Sequence, residues 1–154
     1  MTTADRIFSL ARARAASDQL PYAGAVTPQE AYELLQSVPN AKLIDVRTNA
    51  ERDWVGKVTL PEEKQGAVQW TLYPGASPNP EFSTQLAQRA GKDDILLFLC
   101  RSGVRSRHAA KLATEQGYKN AFDILEGFEG DKDANGHRKT LGGWCKAGLP
   151  WTGA

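Results

Sequence analysis

ILLFLCRSGVRSRH, residues 95–108, runs from an unbroken apolar segment into a cysteine, a short polar loop and an arginine-bearing helix start. Ile95–Leu99 contains no polar residue, as a strand covered on both faces requires, and Ala109, Ala110, Leu112 and Ala113 recur at helical spacing within Ser106–Gly117. Cys100 therefore falls at the carboxyl end of a strand, the edge where open parallel sheets bind ligands. The loop behind it leads into a helix N-terminus, whose first N–H groups lack intrahelical partners and suit an anion. Arg101 and Arg105 add positive charge there, and together these groups favour the thiolate. The stretch reads as a site for a nucleophilic sulfur.

Working outward, Thr27 with Glu30 three positions on, and Pro28 between them, forms a capping-box start for a helix carrying Ala31, Leu34 and Leu35 and ending before Pro39. Short buried strands are expected at Lys42–Val46, Ala67–Trp70, Asp94–Leu99 and Ala121–Leu125, with helical stretches between most of them. Strands alternating with helices imply an α/β fold with a parallel sheet covered on both faces. Residues 4–14 are amphipathic. They are read as an N-terminal helix within an extension over 1–21 that precedes a domain over 22–154. A transit peptide would show a similar pattern, but Asp5 and Asp18 weigh against it.

The loop CRSGVRS, Cys100–Ser106, resembles the active-site loop of the rhodanese family of sulfurtransferases. LIDVRTNAERDW, Leu43–Trp54, resembles the family's other signature, Asp-Val-Arg followed by Glu four positions after the arginine. Ala25–Pro28 with Glu30 and Ala31 resembles its first strand and helix start. Gly143-Trp144 through Gly148-Leu149-Pro150 resembles its closing segment. The order of these four pieces spans about residues 22 to 151. The resemblance implies a rhodanese-like three-layer α/β/α fold with a mostly parallel central sheet, and a catalytic Cys100 that carries sulfur as a persulfide. Two stretches depart from the family pattern. Gly56–Gly66 is longer than usual and has Lys57 where relatives have histidine, and residues 128–143 form a polar insertion before Gly143-Trp144.

Composition limits the alternatives. A chain of 154 residues makes one domain of ordinary size, able to bury roughly two-thirds of its unfolded surface. Cys100 and Cys145 are the only cysteines and do not form a disulfide framework, which suits a reducing, cytoplasmic setting. A formal charge of +1 with dispersed basic residues argues against a nucleic-acid partner. No apolar run approaches the length of a membrane span. Neither Cys-x-x-Cys nor a His-x-x-x-His clip is present, so no metal is expected, and sulfur transfer needs no organic cofactor. The four tryptophans read as packing residues.

In the loop, Gly103 allows close backbone approach or a positive φ, and Ser102 and Ser106 either donate hydroxyl hydrogen bonds or cap the helix. Arg101, Ser102, Gly103, Val104 and Arg105 form the expected substrate-binding set. Arg105 is the better placed cation to pair with a donor anion, since its planar fork suits an oxyanion. Asp45, Arg47 and Glu51, with Ser106, are expected to support the site, Arg47 and Glu51 as an ion pair and Asp45 by orienting the active loop through backbone N–H groups. Cys145, with only Lys146 as a nearby cation, reads as inert.

The leading expectation is a thiosulfate sulfurtransferase taking a small anionic sulfur donor, with mercaptopyruvate second. The acceptor would be a thiol, a cyanide-like nucleophile or an acceptor protein. A phosphatase or arsenate reductase of the same fold is the alternative from another enzyme class, but such enzymes, by family analogy, have a loop one residue longer. A non-catalytic rhodanese-like binding module is the third.

Overall fold

The computed structural model describes residues 2–153. Chain order begins with helix α1 (Thr3–Asp18), strand β1 (Gly24–Val26), helix α2 (Pro28–Ser37), strand β2 (Ala41–Asp45), helix α3 (Asn49–Trp54) and strand β3 (Gly56–Val58). A 3-10 turn at Glu62–Lys64 then leads to β4 (Gln65–Ala67), β5 (Thr71–Leu72), β6 (Ser77–Pro78) and α4 (Phe82–Arg89). The chain closes through β7 (Ile95–Leu99), α5 (Val104–Glu115), β8 (Asn120–Ile124) and β9 (Trp151–Gly153).

The central sheet has five strands in the order β1-β8-β7-β2-β4, every pair parallel. β7, which delivers Cys100, lies at its centre. Its register places Leu99 beside Asp45 of β2 and Phe98 beside Asp123 of β8. The expected strand at Ala67–Trp70 is displaced: the ladder ends at Ala67, and the chain then follows β2 irregularly, with Val68 N–H donating to Asp45 C=O and Trp70 N–H to Val46 C=O, each at 3.0 Å. At the sheet's edge this segment has one neighbouring strand only, β2, so a lapse in the ladder costs less than it would inside. Two further pairs lie outside the main sheet, β3 with β9 and β5 with β6, both antiparallel.

Two apolar clusters cover the two sheet faces. Because successive strand residues point to opposite sides, Leu97 and Leu99 pack with Phe122, Ile124, Leu34, Leu35, Phe128 and Trp144, while Leu96, Phe98 and Cys100 pack with Ala109, Ala110, Ala113, Phe82 and Leu86. Each fully buried Leu or Phe contributes about 1.5 to 3 kcal/mol. The same alternation puts Asp123 on the Cys100 face of β8. Capping boxes start α1, α2 and α3 at Thr2, Thr27 and Thr48, each with a carboxylate at the third helical position reaching back to the cap. Ile7 and Ala11 of α1 are part of the first cluster.

Candidate active site

Sγ of Cys100 lies beneath the loop that follows β7, and the residue is 1% exposed. Gly103 N–H donates to the sulfur at 3.0 Å. This curl depends on Gly103 adopting φ 111°, a left-handed conformation that disfavours other residues. Gly103 also occupies the N-cap of α5 without any side-chain cap, so Ser102 does not cap the helix. The first-turn N–H groups of α5, on Val104, Arg105 and Ser106, have no intrahelical acceptors. Arg107 Nε steadies the curl by donating to Gly103 C=O at 2.8 Å.

The loop is held from behind by the exit of β8. Phe128 N–H donates to Cys100 C=O at 2.8 Å and Glu129 N–H to Arg101 C=O at 2.9 Å. Gly127 makes this approach possible, since a Cβ there would meet Cys100 C=O and Arg101 C=O at 2.6 Å. Residues 128–143 therefore begin as a support for the active loop. Farther on, Asp133 folds the insertion on itself by accepting from the backbone N–H of Asn135 and His137 and from the Thr140 hydroxyl.

The ion pairs of the Leu43–Trp54 signature differ from those expected of it. Arg47 pairs with Asp45, not Glu51: its backbone N–H and Nε donate to Asp45 Oδ1 at 3.0 Å, and Nη2 donates to Asp45 Oδ2 at 2.8 Å. Two positions apart across a turn, they face each other inside the protein, and Arg47 is fully buried. Its guanidinium also donates to Gly56 C=O and lies 4.2 Å over the Phe128 ring. Asp45 is thereby committed to Arg47, with Arg52 nearby at 3.3 Å, and does not orient the active loop through backbone N–H groups.

Glu51 pairs instead with Arg105, Nη1 to Oε1 at 2.6 Å and Nη2 to Oε2 at 2.8 Å. Burial pushes the Glu51 carboxyl up, but the Arg105 fork and charge, with the Thr48 N–H and hydroxyl, outweigh it and hold the group at about 2. The guanidinium expected to await a donor anion is thus engaged within the protein. Arg101 is exposed and makes no ion pair among the described residues. Val104 is also exposed.

Ser106 is buried beside the sulfur. Cys100 S–H donates to Ser106 Oγ at 3.2 Å, and Ser106 O–H donates in turn to Asp123 Oδ1 through a short hydrogen bond. Burial drives the Asp123 carboxyl up to about 7, against the Ser106 hydrogen bond and the charge of Arg107. The sequence reading missed Asp123. Its signal was a lone carboxylate within the apolar run Ala121–Leu125.

Comparison with known proteins finds relatives over most of the chain. The thiosulfate sulfurtransferase GlpE of Haemophilus influenzae is 32% identical over 125 residues, covering 81% of this chain and 90% of the relative. An uncharacterized protein of Rickettsia rickettsii, the RP600 homolog, is 37% identical over 125 residues, 79% of this chain and 91% of its own. The crystal structure of Rv0390 from M. tuberculosis superposes with a TM-score of 0.77 at 42% identity, covering 85% of this chain and 98% of that one. The family model of the STR4 middle domain matches residues 23–154. The chain belongs to the rhodanese-like sulfurtransferases, in the STR4 middle-domain family. In this rhodanese domain the second cysteine lies elsewhere: burial pushes the Cys145 thiol up to about 11, which disfavours its thiolate.

The tryptophans of the rhodanese domain are not all packing residues. Trp144 is buried, but Trp54 is 65% exposed and stacks edge-on with the exposed Tyr73, ring centroids 5.1 Å apart. With Leu72, Glu51 and Arg105 these rings line an open cavity of about 400 Å³ next to the active loop. Among the described residues no helix is long and apolar enough to cross a membrane.

Proposed function

We propose that the chain is an enzyme that takes the outer sulfur of thiosulfate, or of a related dianionic donor, onto Cys100 as a persulfide and passes it to a thiophilic acceptor in the cytoplasm. The observation that carries this reading is Cys100 Sγ held within its own loop, 3.0 Å from the Gly103 N–H. Thiolate attack forms the Sγ–S bond, breaks the S–S bond of the donor and releases sulfite with the bonding pair. The acceptor then attacks the outer sulfur, and Cys100 leaves as thiolate. Loop N–H groups stabilise the negative charge on sulfur throughout, fixed in place before the reaction begins.

Burial of Cys100 favours a slender donor, and the terminal sulfur of thiosulfate projects from its sulfonate far enough to enter such a loop. Exposed Arg101 is the cation available to the sulfonate, while Arg105, paired to Glu51, holds the loop's shape. The similarity to a relative named thiosulfate sulfurtransferase supports this donor. The Trp54–Tyr73 cavity offers the acceptor an apolar surface beside the loop. Two free cysteines suit a reducing compartment.

The test is steady-state transfer from thiosulfate to cyanide, measured as thiocyanate, beside hydrolysis of an aryl phosphate. Transfer that Cys100→Ser abolishes, with negligible phosphatase turnover, is the expected result. Robust phosphatase activity, or transfer that survives Cys100→Ser, contradicts the reading.

A further inference from the structure

Asp123 is an expensive residue in its position. It lies in β8 between Phe122 and Ile124, 1% exposed, where an aliphatic side chain would satisfy the strand. A buried carboxylate costs several kcal/mol unless it is well partnered. Among the described residues its one hydrogen-bond partner is the Ser106 hydroxyl, and Arg107 supplies charge without a hydrogen bond. Ser106 is itself fully buried and turns its other side to Cys100. Sulfur, hydroxyl and carboxyl thus form one unbroken line of hydrogen bonds inside the protein, on the face of the sheet opposite α1 and α2.

We propose that Asp123 is a positioning residue that holds the thiol proton of Cys100, received through the Ser106 hydroxyl. This rests on Cys100 being the nucleophile of the proposed function. The S–H bond of Cys100 breaks and its proton goes to Ser106 Oγ while the proton of Ser106 passes to Asp123 Oδ1. The electron pair stays on sulfur, and nothing is oxidised or reduced. One negative charge moves from carboxylate to sulfur, where the Gly103 N–H receives it. The buried site carries a single charge before and after, so no second ion is desolvated. When the acceptor removes the outer sulfur, the thiolate of Cys100 recovers its proton by the reverse path.

The surroundings suit this exchange. The Asp123 carboxyl, pushed up to about 7, is a proton acceptor matched to neutral pH. The other groups acting on it are the Arg107 guanidinium on α5 and the Tyr22 hydroxyl ahead of β1. Burial, with the charges of Asp123 and Asp18 against that of Arg107, pushes Tyr22 up to about 12, so it stays protonated across the working range. On the sulfur side the nearby charge is Arg105, neutralised by Glu51.

The experiment follows alkylation of Cys100 by iodoacetamide from pH 5 to 10 in a Cys145→Ser background, read by intact mass, for otherwise wild-type protein, Asp123→Asn and Ser106→Ala. Two coupled groups sharing protons titrate in two macroscopic steps. The otherwise wild-type rate is expected to rise in two steps, a first plateau near neutrality where Asp123 holds the proton and a second rise when both groups are ionised. Each variant is expected to lose the first step and rise once, whereas a purely structural role would rescale the rates without changing the number of steps. A single-step profile before either relay substitution overturns the proposal on its own, whether or not the variants fold, as does a two-step profile retained by Asp123→Asn or by Ser106→Ala. Alkylation uses no sulfur donor. Two steps without sulfur uptake from thiosulfate would refute the proposed function and keep the relay; uptake with a single step would do the reverse.

Discussion

Arg105 and Glu51 meet fork to fork, 2.6 and 2.8 Å apart, although one opens α5 and the other belongs to α3. The same Glu51 Oε1 accepts the Thr48 N–H at 3.2 Å, so one carboxylate caps its own helix and anchors the active loop. Geometry at the sulfur therefore depends on a residue that never touches it.

Arg105→Ala removes this anchor without emptying a core site. It is expected to lower kcat/KM for thiosulfate by a factor corresponding to about 1.5 to 3 kcal/mol, as for a charge-assisted hydrogen bond. Glu51→Gln, which can still cap α3, is expected to lose less. Steady-state kinetics check this, and values for Arg105→Ala within twofold of wild type would mark Arg105 as a bystander.

The same pair predicts an acid limb in stability. Held at about 2 when folded and near its ordinary value when unfolded, Glu51 contributes stability that is fully present above about pH 4.5 and lost as pH falls toward 2. After screening at a partly exposed site this amounts to about 1 to 2 kcal/mol. Denaturant titrations at pH 6 and pH 3 should show a smaller acid loss in Glu51→Gln than in wild type.

Asp123 acts in the opposite sense. Its carboxyl is about 7 when folded and about 4 when unfolded, so between those values the folded chain holds a proton the unfolded chain has lost, and stability falls as pH rises. Asp123→Asn should be the more stable protein at pH 8, by on the order of 2 to 4 kcal/mol relative to the difference at pH 4. Thermal melts of both proteins at these pH values test it.

Arg47 is the inner counterpart of Arg105. Arg47→Ala leaves the Asp45 carboxylate buried with Arg52 as its remaining ion-pair partner, and breaking such a pair costs about 3 to 5 kcal/mol. A large drop in the denaturant midpoint is expected; a change below about 1 kcal/mol would mean that Arg52 takes over the charge.

The strand–loop–helix unit around Cys100 was legible because each step has a local cause: an apolar run, a glycine with positive φ, a helical repeat. Capping of α2 by Thr27 and Glu30 was legible for the same reason. The ion pairs were not. Spacing of four suggested Arg47 with Glu51, yet the turn after β2 aims Arg47 back at Asp45, and only the pairing of β2 with β7, which α3 and α5 follow, brings Glu51 to Arg105. Asp123 was hidden because its partner, Ser106, lies on another element. The β3–β9 pair joins segments distant in sequence, which no periodicity records.

The most direct measurement is the intact mass of the protein after incubation with thiosulfate and removal of excess donor, for wild type, Cys100→Ser and Cys145→Ser. The account predicts a gain of one sulfur in wild type and in Cys145→Ser, reversed by cyanide, and none in Cys100→Ser. A stable sulfur adduct on Cys100→Ser, or an unmodified wild type, would contradict it.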